Sequence, residues 1–212
     1  MSQIENYVSY SKRIGKNHYY ALPGLPYWIS YWYQIYFILS LEKNRILEIG
    51  IGDKVVSDYL LKKGLEVVTC DINSKLNPDF IADIVNLPFK NNQFDVVLCC
   101  EVLEHLPFNK VQDALKEIYR VTNSYSVISL PYYSLSFSFS FRFFFQKIRG
   151  FTIRIPLLRK AKFDGQHYWE IGKRKYPLKR IKNVINQAGF EIVDEKSVTL
   201  NPYHYFFILR KI

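Results

Sequence analysis

Apolar residues in this chain fall into short, nearly continuous runs that alternate with stretches of helical periodicity. Arg45-Ile46-Leu47-Glu48-Ile49-Gly50 reads as a buried strand closed by glycine, and Leu65 to Cys70 as a second, ended by Asp71. Phe80-Ile81-Ala82 is a short third, Phe94 to Cys100 a fourth, and Tyr125 to Leu130 a fifth, stopped by Pro131. Between them Val55 to Lys63 reads as a helix with Gly64 as its stop, and Asn109 to Val121 as an amphipathic helix with Val111, Leu115 and Ile118 on one face. Strands that are apolar on both sides, separated by helices, predict an α/β fold with a mostly parallel sheet covered on both faces. Leu178 to Ala188 is a further helix closed by Gly189, followed by strands Phe190 to Lys196 and Tyr205 to Arg210. These last two predict an antiparallel pair at the sheet's edge, giving seven strands with an antiparallel last one.

Two segments break the alternation. Asn17 to Leu41 holds no Asp, Glu, Lys or Arg and is long enough to span a bilayer. Its Pro23, Gly24, Pro26, Ser30, Gln34 and many tyrosines suit an amphipathic helix packed on the domain and touching lipid better than a spanning one. Tyr132 to Phe163 is a long insertion in which Ser134 to Phe141 alternates Ser with Leu or Phe. Long excursions in compact domains are usually functional, so this one is a candidate lid or docking surface. The expected layout is one domain: an aromatic helical cap (1–43), a core (44–131), a basic aromatic insertion (132–176), and a closing helix with two strands (177–212).

Charge sharpens this. The net charge is +10, and Arg142 to Lys182 carries 13 Lys/Arg against 2 Asp/Glu. The rest of the chain is about neutral, so a local basic surface is expected, suited to nucleic acid, an anionic membrane face or a phosphorylated substrate. Cys70, Cys99 and Cys100 sit inside apolar runs with no metal-ligand or disulfide spacing. With no signal peptide visible, a cytoplasmic location, peripheral to the inner membrane face, is expected.

Candidate chemistry centres on Leu47-Glu48-Ile49-Gly50-Ile51-Gly52. Glycines after a strand let the backbone turn sharply and approach a ligand, and the next helix offers free N–H groups. Asp71, 21 residues after Gly50, stands where a carboxylate can accept from both ribose hydroxyls of an adenosine. A dinucleotide fingerprint needs a third glycine at Val55, and it is absent. Further on come Ala82-Asp83-Ile84, Leu87-Pro88-Phe89, Phe94-Asp95-Val96-Val97 and Glu101-Val102-Leu103-Glu104-His105-Leu106.

This ordered set, from Ile46 to Leu130, resembles the class I S-adenosylmethionine-dependent methyltransferases, in particular their small-molecule branch. The resemblance implies a Rossmann-like fold with S-adenosylmethionine as cofactor. It implies that Glu48, Gly50 and Gly52 line the methionine part, Asp71 holds the ribose and Ile72 packs on the adenine. It further implies that Asp83 accepts from the adenine amino group, Ile84 meets the ring edge, and Glu101 lies near the methionine amine and the sulfonium. One departure is Lys54, where the family often has a third glycine; its ammonium could instead meet the cofactor's carboxylate.

A base is needed only if the acceptor must lose a proton, and His105, His167 and Glu170 are the candidates. His105 reads either as that base or as a helix-capping or packing residue. Gly165-Gln166-His167-Tyr168-Trp169-Glu170 reads either as a substrate wall or as a loop anchored in the core by Trp169. His18-Tyr19-Tyr20 reads as a cap over the cofactor or as core packing. For the acceptor, a small molecule, glycan or lipid-linked compound is the first reading. RNA held by the basic insertion is the second, and a non-catalytic binding protein the third. Phe137 to Phe145 with Lys147, Arg149 and Arg154 would supply the contact with an anionic membrane.

Overall fold

The computed structural model describes residues 24–141, 144, 149–157 and 159–212. Helix α1 (Leu25–Ser40) precedes β1 (Arg45–Ile49), α2 (Val55–Lys62), β2 (Glu66–Asp71), β3 (Phe80–Ile81) and β4 (Phe94–Cys100). Then follow α3 (Phe108–Val121), β5 (Thr122–Pro131), β6 (Leu135–Phe141), β7 (Arg149–Ile155), α4 (Leu178–Gln187), β8 (Phe190–Ser197) and β9 (His204–Lys211). The main sheet has the order β3-β2-β1-β4-β5-β9-β8. β1 to β5 pair in parallel, and β9 runs antiparallel between β5 and β8. The expected closing pair is therefore antiparallel, but its later strand lies inside and the earlier one forms the edge.

Pleating sends successive strand residues to opposite faces, and each face has its own core. Ile46, Val96, Leu98, Val127, Phe206 and Ile208 pack with Phe37 and Ile38 of α1 and Val56 and Leu60 of α2. Leu47, Val97, Cys99, Ile128, Phe207 and Leu209 pack with Val111, Leu115 and Ile118 of α3 and Ile181 and Ile185 of α4. Burying both faces is why these strands read as unbroken apolar runs. α1 is amphipathic, with Ser30, Gln34, Phe37 and Ile38 buried and Trp28, Trp32 and Tyr36 exposed. Among the described residues no helix is long and apolar enough to cross a membrane.

The insertion holds a structure of its own: β6 and β7 form a separate antiparallel ribbon. Arg154 does not face outward from it, as a lipid-head contact would. Its guanidinium donates to Ser197 Oγ at 2.5 Å and to the Pro202 carbonyl at 2.7 Å, and lies 4.7 Å from the centre of the Tyr132 ring. It ties the ribbon to the β8–β9 connection. Of the other residues expected on that surface, 142, 143, 145–148 and 158 lie outside the described residues, as does His18-Tyr19-Tyr20.

Candidate functional site

A cavity of about 440 Å³ opens at the carboxyl ends of β1, β2 and β4. Parallel α/β sheets place ligands there, because the chain leaves each strand through a loop that side chains and free N–H groups can line. One wall comes from those loops: Glu48, Gly50, Ile51, Gly52, Asp53, Asp71, Ile72, Ala82 and Ile84. The opposite wall comes from scattered elements: Tyr27, Ser30, Tyr31 and Gln34 of α1, the segment Glu101 to His105, Gln166 and His167, and Tyr203 and His204.

The glycine loop is tight for a visible reason. Gly50 has φ +79°, and a Cβ there would lie 2.3 Å from Val102 Cγ2. Lys54 keeps the left-handed turn that a glycine would take without strain, at φ +65°. Its ammonium is turned away from the cavity and donates to the Asn77 carbonyl at 2.5 Å. The expectation that it meets a cofactor carboxylate is therefore corrected: the lysine preserves the turn and braces it from behind.

Asp71 ends β2 with Oδ2 accepting from Ile51 N–H (3.1 Å) and Oδ1 from Asn73 N–H (2.7 Å). Burial raises its carboxyl above the usual range, against the pull of those N–H groups. Glu48 is 4% exposed, and its Oε2 has no hydrogen-bond partner among the described residues. Burial, only partly offset by Ser57, pushes its carboxyl up to about 8. Ala82 and Ile84 line the cavity, whereas the Asp83 carboxylate between them accepts from Val85 N–H at 3.2 Å. Glu101 has φ +54°, a strained conformation costing about 1–3 kcal/mol that turns β4 into the cavity rim. Its carboxylate accepts from Ser129 Oγ at 2.7 Å and lies 3.6 Å from His204 Nε2; His204 Nδ1 is 2.8 Å from Ser30 Oγ.

The second wall centres on His167. Asp164 Oδ1 accepts from Gln166 N–H and His167 N–H, which sets the loop. Trp169 is fully buried and donates to the Leu106 carbonyl, so it anchors the loop in the core, while His167 lines the cavity. His167 Nδ1 lies 2.9 Å from Glu170 Oε1, and Tyr203 donates to the same oxygen at 3.1 Å. Burial pushes the Glu170 carboxyl up, but the His167 hydrogen bond and the Lys173 ammonium 3.4 Å away leave it below the usual range. Glu104 is fully buried with no hydrogen-bond partner on either oxygen among the described residues, and burial with the charge of Glu101 pushes its carboxyl well above that range. Its Oε1 is 4.0 Å from His167 Nε2. His105, 3.0 Å from the Gln166 carbonyl, is held neutral: burial, then His167, lowers its pKa to about 4. Its ring packs edge-on against His167 at 4.9 Å, as the packing reading expects.

The cavity's charge is one-sided. Glu48, Asp53, Asp71, Glu101 and Glu104 line it, with burial favouring the neutral form of Glu48 and Glu104, and among the described residues no lysine or arginine does. A pyrophosphate would find no countercharge here. A sulfonium with an ammonium group fits this field, and the unpartnered Glu48 oxygen and the cleared space at Gly50 suit a ligand pressed against the β1 loop. Sequence reasoning missed Ser30, Tyr31, Tyr203 and His204; counting the chain's four histidines as equal candidates would have found His204 alone.

Comparison with known proteins agrees with this geometry. Residues 47–129 match the family model of a methyltransferase domain. An uncharacterized protein of Methanocaldococcus jannaschii is 41% identical over 87 residues, which cover 38% of this chain and 37% of that one. Magnesium protoporphyrin IX methyltransferase from Synechocystis, solved with S-adenosylmethionine bound, superposes with a TM-score of 0.69 at 13% identity, covering 100% of this chain and 98% of that one. The CcbJ methyltransferase from Streptomyces caelestis superposes with 0.65 at 14% identity, covering 97% and 98%. The sheet order, the glycine turn and the cavity at the strand ends agree with that match: residues 47–129 form a methyltransferase domain, and the chain shares the Rossmann-like fold of the S-adenosylmethionine-dependent methyltransferases it superposes on.

Proposed function

We propose that the chain transfers a methyl group from S-adenosylmethionine to a small acceptor through an oxygen or nitrogen that gives up a proton. The observation that carries this reading is a cavity lined by five carboxyl groups and, among the described residues, no lysine or arginine, walled on one side by His167 backed by Glu170. Glu48, Gly50, Gly52 and Glu101 would hold the methionine part, and Asp71, Ile72, Asp83 and Ile84 the adenosine. The cofactor, when bound, supplies a methyl group already activated on sulfur, which leaves the protein to align, exclude water and manage one proton.

His167 does the last of these. With Glu170 accepting from Nδ1–H, the Nε2 nitrogen carries the lone pair and takes the acceptor's proton. Glu170 then stabilises the imidazolium, and Tyr203 holds Glu170 in line. Glu104, held neutral by burial, sets no carboxylate charge beside Nε2. Tyr27 and Tyr31 close the cavity from α1. An acceptor without phosphate at its reacting end fits this field, whether a soluble metabolite, a glycan or the head of a lipid-linked compound. RNA fits poorly, because its phosphates would meet carboxylates.

Calorimetry with S-adenosylmethionine and with NAD tests the cofactor; binding of NAD alone, or of neither, overturns it. Transfer of tritiated methyl to fractionated cell extract tests the acceptor. Label in the polar-metabolite or lipid fraction supports the proposal, and label confined to RNA defeats it.

A further inference from the structure

We propose that the β6–β7 ribbon is a membrane-docking surface that seats the protein on an anionic lipid bilayer. Its two faces differ completely. In register, Phe137 lies opposite Ile153 and Phe139 opposite Phe151, while Ser138 lies opposite Thr152 and Ser140 opposite Gly150. Period-two alternation thus puts every large apolar side chain on one face and every small or hydroxyl side chain on the other. The small face is partly covered by the protein: a Cβ at Gly150 would lie 2.8 Å from Thr199 Cγ2, and Arg154 is bound to Ser197 and Pro202, while Ser138 and Ser140 stay exposed. The apolar face is therefore committed outward. From Leu135 to Phe141 and Phe151 to Ile155 its side chains are 45–57% exposed, and Phe144 beyond them is 77% exposed. Such an apolar patch on a two-stranded ribbon marks a surface made for a partner.

Charge identifies the partner. No Asp or Glu occurs between Ile118 and Phe163. Arg159, Lys160 and Lys162 follow β7, exposed and, among the described residues, without ion pairs. Apolar side chains bordered by cations match the interface of a bilayer with anionic headgroups. A second copy of the chain would bring the same cations against these, so charge opposes self-pairing. RNA would meet the cations and could stack on the phenylalanines, but Leu135, Ile153 and Ile155 beside them add aliphatic surface that suits acyl chains and not bases. The exposed Trp28, Trp32 and Tyr36 of α1 are aromatics of the kind that sit at headgroup level. α1 is tied to the same β8–β9 connection through Asn201, which donates to the Pro26 carbonyl at 3.0 Å.

Docking here does not depend on the cofactor reading, and the two can fail separately. Sedimentation of the full chain with phosphatidylcholine vesicles, with and without phosphatidylglycerol, tests it. The wild type should pellet with the anionic vesicles and be released at about 0.5 M salt. Phe137→Ser with Phe139→Ser should lower partitioning about tenfold or more, and Lys160→Glu with Lys162→Glu by about tenfold. Both pairs should leave the melting temperature and S-adenosylmethionine affinity unchanged. The proposal is overturned if the wild type stays in the supernatant, or if the phenylalanine pair pellets like wild type. It is equally overturned if binding ignores phosphatidylglycerol, if the phenylalanine pair instead dissociates a dimer on sizing, or if the ribbon's phenylalanines are needed for binding an oligoribonucleotide and not vesicles.

Discussion

The cavity's two walls are made in opposite ways. The wall at β1, β2 and β4 is mostly backbone: glycine turns, strand ends and N–H groups, with Asp71 fixing two loops through Ile51 and Asn73. The wall facing it is made of side chains from α1, the segment around His167, and the β8–β9 connection, joined by hydrogen bonds such as Tyr203 to Glu170. The first wall is dictated by the fold and suits a ligand common to many relatives. The second is free to vary without disturbing a strand, so it is where acceptor choice can be written. Substitutions in the first should change cofactor affinity; those in the second should change transfer.

Gly50→Ala makes the sharpest cut. The new Cβ meets Val102 at 2.3 Å in a φ +79° backbone, so we expect loss of measurable S-adenosylmethionine binding and about 3 kcal/mol or more of stability in urea unfolding. Adding Val102→Ala removes the clash but not the backbone strain and should recover only part of both. Full recovery by the second substitution would mean that the turn itself is unimportant.

His167→Ala does the reverse. We expect methyl transfer to fall about 10²–10⁴-fold with cofactor affinity within about twofold of wild type. Glu170→Gln should cost less, about ten- to hundredfold, since it removes the orienting partner and keeps the ring. Equal loss of cofactor affinity in either variant would erase the division between the walls.

The two walls also differ in how far they could be read from the chain. Ile46, Leu47, Ile49 and Val96 to Cys99 are apolar because both faces of the sheet are covered, so strand, turn and following helix are spelled locally. Ser30 and His204 are 174 positions apart and meet only because β9 inserts beside β5, which no periodicity announces. Lys54 shows the limit within the legible part: its residue type suggested a contact with the cofactor, yet the turn's geometry turned its side chain to Asn77. In the ribbon, Ser/Phe alternation marked a strand's period but gave no way to know that the apolar half faces out.

Glu48 gives a pH-dependent view of the first wall. Its carboxyl is raised to about 8 mainly by burial, so the folded protein holds a proton there that the unfolded chain releases near the ordinary value. Stability is therefore lost progressively as pH rises from the unfolded value to about 8, and the loss is constant above that. Glu48→Gln removes the group, so its melting temperature should gain on wild type as pH is raised from 5 to 8, by the equivalent of a few kcal/mol. The same variant should bind S-adenosylmethionine more weakly. A gap in melting temperature that stays flat across this range would show that Glu48 is ionised in the fold.

Tyr31→Phe asks whether the walls are coupled. The Tyr31 hydroxyl donates to Asp53 Oδ2 at 3.1 Å, a direct link from α1 to the glycine loop. Both groups line the cavity, so the bond holds α1 against the β1 turn where a cofactor would be enclosed. Removing one hydroxyl deletes a hydrogen bond to a charged group in a half-buried place, which should weaken S-adenosylmethionine binding by about three- to tenfold in calorimetry. Because the bond lies on the α1 side and its effect would be read on the cofactor side, a measurable loss makes α1 a working part of the first wall as well. No change in affinity, with transfer reduced, would assign α1 wholly to the acceptor and leave the two walls independent.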